Sequence, residues 1–125
     1  MTKPLKVAFL WHMHQPLYQE SVGGKFLLPW VRLHAIKGYT DMPSVLAGHP
    51  QAKASFNLTP SLLIQLEEYF KEDIREKDEF LRVTLKPASQ LDQNEKEFIL
   101  ANFFMNHWER VIKPHPRYSE LLNLR

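Results

Sequence analysis

The chain has 125 residues, of which 44% are hydrophobic and 24% are charged, and this composition suits one ordinary globular unit and excludes collagen-like or disordered sequence. Sixteen Lys and Arg side chains oppose fourteen Asp and Glu side chains, and the net charge of +2 is too balanced to predict a nucleic-acid partner or a polybasic membrane surface. The lack of cysteine excludes disulfides, thiolate metal sites and a catalytic thiol.

The N-terminus predicts neither a signal peptide nor a membrane segment. Its apolar run covers only residues 7–11, whereas a signal peptide needs roughly 7 to 15 apolar residues. A membrane helix needs about 20. We therefore expect a cytoplasmic protein without a membrane partner.

The first predicted element is a strand over residues 6–12, KVAFLWH, which is apolar on both faces and typical of a strand buried in a parallel sheet. Because side chains alternate along a strand, His12 and His14 share one face near its carboxyl end. This end is where α/β folds place their chemistry. Residues 17–29 then form a long loop, and loops of this length are usually functional or disordered.

Two helical stretches and a second strand follow the loop. The first helix begins at Pro29 and weakens at Gly38, and the second runs over residues 42–47. KASFNL, over residues 53–58, predicts a strand that pairs in parallel with the first through a right-handed crossover.

The next helix has the clearest start signal in the chain. Thr59 is predicted to be its N-cap and Pro60 its first residue, and an apolar stripe at helical spacing follows. The charged run of residues 71–79 predicts a solvated helix end and linker. Residues 80–85 fit either a short helix or an extended segment.

The last third of the chain predicts two more helices. Asp92 and Glu95 form a capping-box pattern, and apolar residues at spacings of three and four extend the predicted helix to Ile112. Proline residues end it, and a final helix is expected over residues 118–125.

The most informative motif is WHMHQP, over residues 11–16. Its two imidazoles lie two positions apart on a strand, roughly 6 to 7 Å at the backbone, and could bind a metal or a polar substrate, or serve as hydrogen-bonded structure. A metal site would need a third protein ligand that the neighbouring sequence does not supply. The position at the mouth of a long loop favours function. Strand pairing predicts that both histidines face the inner side of the sheet with Ser55 and Asn57.

Three further residues have two possible roles each. Trp30 and His34 lie four apart on one helix face, where the indole either packs on the sheet with the imidazole as a polar neighbour or stacks on a sugar ring whose hydroxyls the imidazole binds. Asn57 is either a turn residue before the Thr59 cap or a side-chain amide that binds hydroxyls.

The chain also resembles a known family. The segments WHMHQPLY, LPWVRLHAIKGYTDM, FNLTPSLLIQLEEY, KPASQLDQNEKEFILANFF and PRYSELL, in this order, resemble the opening part of glycoside hydrolase family 57 over practically the whole chain. The resemblance implies an α/β fold in which residues 1–125 are the N-terminal portion of an incomplete TIM-like barrel of seven βα units, with two parallel strands followed mainly by helices.

The resemblance implies a retaining enzyme that acts on α-glucans or maltooligosaccharides without a metal or cofactor. Members of the family include α-amylases, amylopullulanases, glucanotransferases and branching enzymes. Under this reading His14 contacts the substrate, and Gln15 and Pro16 shape the first motif. Further substrate contacts are expected from Trp11, His12, Trp30, His34 and Asn57.

The catalytic carboxylates of the family, a nucleophilic Glu and a general-acid Asp, are expected in later motifs, beyond Arg125. Retaining chemistry needs two carboxyl groups about 5 to 5.5 Å apart. We therefore expect the chain to supply substrate-binding residues, to be inactive alone, and to need the missing C-terminal part of the domain as partner. Hydrolysis or transfer, and α-1,4 or α-1,6 specificity, stay open.

Two alternatives to this reading exist. One is a metal-dependent, deacetylase-like hydrolase in which His12 and His14 bind zinc. The other is a glucan-binding fragment without catalysis.

Overall fold

A computed structural model describes residues 4–125 as a mixed α/β chain, and its described part contains two parallel strands and seven α-helices. The elements are β1 (Leu10–Met13), α1 (Trp30–Ile36), α2 (Asp41–Ala47), β2 (Ser55–Leu58), α3 (Pro60–Glu68), α4 (Ile74–Lys77), α5 (Glu79–Leu85), α6 (Gln93–Asn102) and α7 (Pro116–Leu124), with a 3-10 helix at Ala88–Gln90 and a π-helix at Trp108–Ile112. The chain divides into two units, Met1–Arg82 and Val83–Arg125.

The predicted parallel pairing of the two strands is confirmed, with His12 opposite Asn57 in the register. The predicted start of the first strand at residue 6 is wrong, because β1 begins at Leu10. β2 begins only at Ser55, so the segment before β1 has one ladder bond to it, from the Ser55 N–H to the Phe9 carbonyl at 2.9 Å.

One face of the two-stranded sheet packs on the core of the first unit. Met13, Val31 and Leu62 are buried and form one cluster of this core. They come from β1, α1 and α3, so these two helices cover the Met13 face. The partly buried residues around them are Tyr18, Tyr39, Met42, Phe56, Leu66 and Tyr69. His12 and Asn57 project from the opposite face and are exposed.

A glycine reverses the chain after α1 and brings Tyr39 back beside it. Gly38 has a φ of 86°, a conformation that costs a side-chain-bearing residue energy. After this reversal the Tyr39 N–H donates to the His34 carbonyl at 3.1 Å. The Tyr39 ring lies 6.1 Å from the His34 ring. The turn therefore fixes the aromatic side chain that contacts the segment after β1.

The predicted start of α3 is confirmed, with Thr59 in an extended conformation before the helix and Pro60 as its first residue. The Thr59 side chain does not cap the helix by a hydrogen bond. Its oxygen lies 3.2 Å from the Ser61 hydroxyl instead. The Thr59 N–H donates to the Met13 carbonyl at 3.1 Å, which ties the start of α3 to the end of β1.

The predicted capping box of α6 is confirmed. The Asp92 carboxylate accepts from the Glu95 N–H at 2.9 Å, and the Glu95 carboxylate accepts from the Asp92 N–H at 2.9 Å. Glu95 is buried and also pairs with Lys86 at 2.7 Å. The start of α6 is therefore held by reciprocal side-chain bonds.

Removal of the cap by Asp92→Ala is expected to lower the free energy of unfolding by roughly 0.5 to 2 kcal/mol, because the Glu95 N–H loses its acceptor. Urea unfolding followed by circular dichroism measures this. Asn94→Ala, at an exposed position of the same helix, is the matched control and should change stability by less than about 0.5 kcal/mol. Equal effects of both substitutions would contradict the role of the cap.

The prediction that α6 continues to Ile112 is wrong. Side chains bind the carbonyls just after its end: the Tyr118 hydroxyl donates to the Phe103 carbonyl, and the Trp108 Nε1 donates to the Phe104 carbonyl at 3.0 Å. These contacts replace the backbone bonds of a continuing helix, and the chain resumes as the short π-helix.

Candidate functional site

The two histidines of the motif lie side by side on the open face of the sheet. Their rings stack at a centroid distance of 5.8 Å with 16° between the planes, and both side chains are exposed. Neighbours in a parallel register share a face, so His12, Asn57 and Ser55 lie on one side. The prediction that both histidines share the face of Ser55 and Asn57, away from the helices, is confirmed.

The segment of residues 14–18, which follows β1, is held by side chains from the helical layer. The Tyr39 hydroxyl donates to the His14 carbonyl at 3.0 Å and accepts from the Gln15 Nε2 at 2.8 Å. The Ser61 hydroxyl donates to the Gln15 carbonyl at 2.8 Å. Gln15 is buried, so its side chain serves the shape of this segment.

Gln65 holds the same segment from α3, and sequence reasoning missed it. Its Nε2 donates to the Pro16 carbonyl at 2.9 Å and to the Ser61 carbonyl at 2.6 Å. Its Oε1 accepts from the Tyr18 N–H at 2.7 Å. The one available signal was a glutamine inside the apolar stripe of a helix, three residues after Leu62.

The predicted aromatic and polar contacts around the motif are spread over two faces. Trp11 lies on the core side of the sheet, where its ring meets Phe56 edge-on at 5.0 Å. Trp30 is half-buried at the start of α1, and His34 is exposed on the same helix. His34 is linked to the His14 segment through the ring of Tyr39. The open face itself therefore brings together the two histidines and Asn57.

A buried carboxylate joins three elements of the first unit. Asp78 is 0% exposed, although the charged run around it predicted a solvated linker. Its Oδ2 accepts from the Tyr69 hydroxyl at 2.8 Å and lies 3.6 Å from the Arg32 Nε. Its Oδ1 accepts from the Leu81 N–H at 2.9 Å. Asp78 thereby connects α1, the end of α3 and the start of α5.

This cluster also keeps the Tyr69 hydroxyl protonated. Burial raises the pKa of Tyr69 far above its ordinary value of 10.0, and the neighbouring Asp78 carboxylate raises it further because it opposes a second negative charge. Both effects favour the protonated hydroxyl, which donates to the Asp78 carboxylate. Its ring also packs against Phe26 of the long loop at 4.9 Å.

A second buried carboxylate, Glu68, closes the end of α3. It pairs with Lys71 at 2.5 Å and with Lys77 at 3.1 Å. The two ammonium groups hold the pKa of Glu68 below its ordinary value of 4.5. The Lys77 carbonyl accepts from the Phe26 N–H at 2.8 Å, so the ion pairs also brace the loop before α1.

Acid is expected to weaken this brace. Because the folded pKa of Glu68 lies below 4.5, its contribution to stability is complete above that pH and disappears as the pH falls through the lower folded value. Glu68→Gln should therefore be less stable than the parent chain at pH 7, and the difference should shrink toward pH 3. Urea unfolding across this range measures it, with the exposed neighbour Glu67→Gln as control. A difference independent of pH would contradict the ion pairs.

The described residues contain no group of three or more His, Asp or Glu side chains arranged to hold a metal ion. The stacked pair of His12 and His14 is thus without a third protein ligand in this part of the chain. A shallow groove of about 200 Å³ lies at the opposite, amino end of both strands. Its lining combines apolar residues with Lys53 and Ser55, and neither histidine of the motif takes part in it.

The comparison with protein families agrees with the sequence resemblance. A family model described as glycosyl hydrolase family 57 matches residues 8–122, which is most of the chain. The chain therefore belongs to glycosyl hydrolase family 57, and membership supports a carbohydrate substrate. No curated protein and no solved structure matches the chain in the corresponding comparisons.

Within residues 4–125, none of the helices combines the length and the apolar character that a bilayer crossing requires.

Proposed function

We propose that this chain forms the α-glucan-binding part of a retaining glycoside hydrolase or glucanotransferase with a TIM-like barrel, and that the nucleophilic Glu and acid Asp come from a downstream part of the catalytic domain. The observation that carries the proposal is the exposed, stacked pair of His12 and His14 beside Asn57 at the carboxyl end of two parallel strands. Active sites of barrel enzymes occupy this end of the sheet.

The chemistry of these side chains suits a sugar. An imidazole offers a donor and an acceptor to hydroxyl groups, and a carboxamide offers both at once. His12 and Asn57 are direct neighbours in the register, roughly 4.8 Å apart at the backbone. Two adjacent hydroxyls of a glucose ring can therefore be bound by two protein groups on one rigid surface. His14, stacked beside His12 on the same face, would extend this contact, with Trp30, His34, Gln15 and Trp11 in supporting positions.

The contacts of the buried carboxylates in the described chain support the proposal that the catalytic Glu and Asp come from another segment. The buried ones are engaged by lysine or arginine side chains, a tyrosine hydroxyl or backbone N–H groups. They are Glu68, Asp78 and Glu95. Retention needs two carboxyl groups about 5 to 5.5 Å apart across one bond. A buried carboxylate whose oxygens are occupied by a cation and by further N–H or O–H donors is a poor nucleophile, so these three residues fit structural roles.

The unpaired edges of the sheet support the proposal that a downstream segment completes the domain. In the described part of the chain the sheet has two strands, so each strand keeps one edge without a pairing partner. Leu10, on the face of the histidines, is 66% exposed. Further strands of a barrel would pair with these edges and shield this leucine.

Titration of the full chain with maltoheptaose tests the proposal. Isothermal calorimetry should show binding, and His14→Ala should weaken it at least about tenfold, a change equivalent to roughly 1.4 kcal/mol. Asn57→Ala should weaken it less. His49→Ala, an exposed histidine outside the site, is the matched control and should bind like the parent chain.

Other outcomes distinguish the alternatives. Stoichiometric zinc in the purified protein, lost in His12→Ala, would favour the deacetylase-like hydrolase. Glucan binding that stays without turnover after addition of the downstream part would favour a fragment that only binds glucan. Unchanged binding in His14→Ala would contradict the proposed site.

A further inference from the structure

We propose that Gln65, assisted by Ser61, is the positioning residue of the site: α3 fixes the main chain of residues 14–18 through these two side chains and thereby sets the orientation of the His14 ring. The proposal rests on the function proposed above for His14. Neither residue touches the open face, so both act through the segment that they hold.

Both the nitrogen and the oxygen of the Gln65 carboxamide have hydrogen-bond partners. It is 0% exposed, and burial of an unpaired amide is costly. Both N–H groups are used, on the Pro16 and Ser61 carbonyls, and the oxygen accepts from the Tyr18 N–H. The opposite orientation of the amide would place its oxygen against two carbonyls and its nitrogen against an N–H, so the bonds define one orientation.

The segment depends on these bonds because it has left the strand ladder. β1 ends at Met13, and residues 14–18 have no regular secondary structure. Buried backbone groups still need partners. Gln65 supplies two of them, at Pro16 and Tyr18, and Ser61 supplies a third, at the Gln15 carbonyl. The bonds begin one residue after His14, so they set the direction in which the chain leaves it.

The path of the main chain sets the orientation of the His14 side chain. Its Cα–Cβ direction follows from the backbone at residues 13–15, and its ring stacks on His12 at 5.8 Å. A loss of the bonds from α3 leaves the bonds of Tyr39 to His14 and Gln15 in place but frees the carbonyls of Gln15 and Pro16 and the N–H of Tyr18, and the stacked arrangement then has less support. An effect on glucan binding should therefore appear without any change at the binding residues themselves.

The test compares Gln65→Leu and Gln65→Glu with two controls in the full chain. Gln51→Leu makes the same substitution at an exposed glutamine, and Ile74→Val lowers stability in a buried residue outside the Met13 core. Two readouts are used at a temperature where every variant is folded: the His14 ring and Tyr18 amide resonances by NMR without ligand, and maltoheptaose affinity.

Gln65→Leu is expected to shift both resonances and to weaken binding at least tenfold, whereas both controls leave them unchanged.

Gln65→Glu adds a dependence of binding on pH. Its carboxylate opposes the carbonyls at pH 7, but its protonated form can again donate to the Pro16 carbonyl and accept from the Tyr18 N–H. Binding relative to the parent chain should thus recover toward pH 5 in Gln65→Glu and stay flat in Gln65→Leu.

Parent-like resonances and affinity in Gln65→Leu would overturn the proposal, as would equal shifts in Ile74→Val. If Gln65→Leu does not fold, Ser61→Ala decides in its place: shifted His14 resonances support the proposal and unshifted ones overturn it. If the parent chain binds no maltoheptaose, the proposed function fails, whereas the ligand-free resonances still decide the role of Gln65.

Discussion

Purified residues 1–125, incubated with maltooligosaccharides, are expected to release no reducing ends and to redistribute no chain lengths. The proposed contacts from His14 and its neighbours would bind substrate, but binding alone does not break a glycosidic bond without a positioned nucleophile and acid. The buried carboxylates of the described chain are bound by cations and N–H groups. Under the proposed function the nucleophilic Glu and the acid Asp lie outside these residues, so the chain alone should lack the rate enhancement of the enzyme, which is typically at least about 10⁶-fold.

Reducing-sugar assays and chromatography of chain lengths measure this expectation. Activity should appear when the chain is joined to a family 57 segment that carries the catalytic Glu and Asp, and His14→Ala should reduce the activity of that joined protein. Turnover by residues 1–125 alone that survives purification and disappears in His14→Ala would contradict the expectation, because it would place a complete active site in this chain.

Asp78→Ala is expected to lower the free energy of unfolding by about 3 to 5 kcal/mol, the typical cost of removing one partner from a buried ion pair. The substitution leaves the Tyr69 hydroxyl and the Leu81 N–H without their acceptor and Arg32 without its counterion. Unpaired buried donors are costly because they have also lost their water. The first unit should lose much of its stability.

Urea unfolding measures the effect, and Glu72→Ala is the matched control. Glu72 is an exposed carboxylate in the same charged run, and its loss should change stability by less than about 0.5 kcal/mol. Asp78→Asn keeps one acceptor oxygen and should lie between the two. A loss below about 1 kcal/mol in Asp78→Ala, the range of surface pairs, would show that the cluster contributes little to folding.

The sequence predicted the open face of the site because that prediction needs only local rules. Alternation along a strand puts His12 and His14 together, and parallel pairing adds Asn57 once β2 is located. Pro60 and the capping box of Asp92 likewise act within a few residues. Each of these signals is complete in a short window of sequence.

The buried polar residues that hold the first unit and the segment of residues 14–18, Gln65 and Asp78, were not predicted because their partners are distant in the chain. Gln65 and Pro16 are 49 positions apart, as the bond between them records, and a polar residue in a helical stripe does not indicate its partner. Asp78 lies in a charged run, and the composition of that run does not indicate which carboxylate is buried. The early end of α6 depended on Tyr118, a side chain from the next helix.

Tyr39, Ser61 and Gln65 hold residues 14–18 mainly through backbone groups, and this has a consequence for the side chains that the segment can carry. The carbonyls of His14, Gln15 and Pro16 that these side chains bind are present in every amino acid, and the Tyr18 N–H is lacking only in proline. Leu17, exposed in the middle of the segment, can therefore be exchanged without changing the path of the chain.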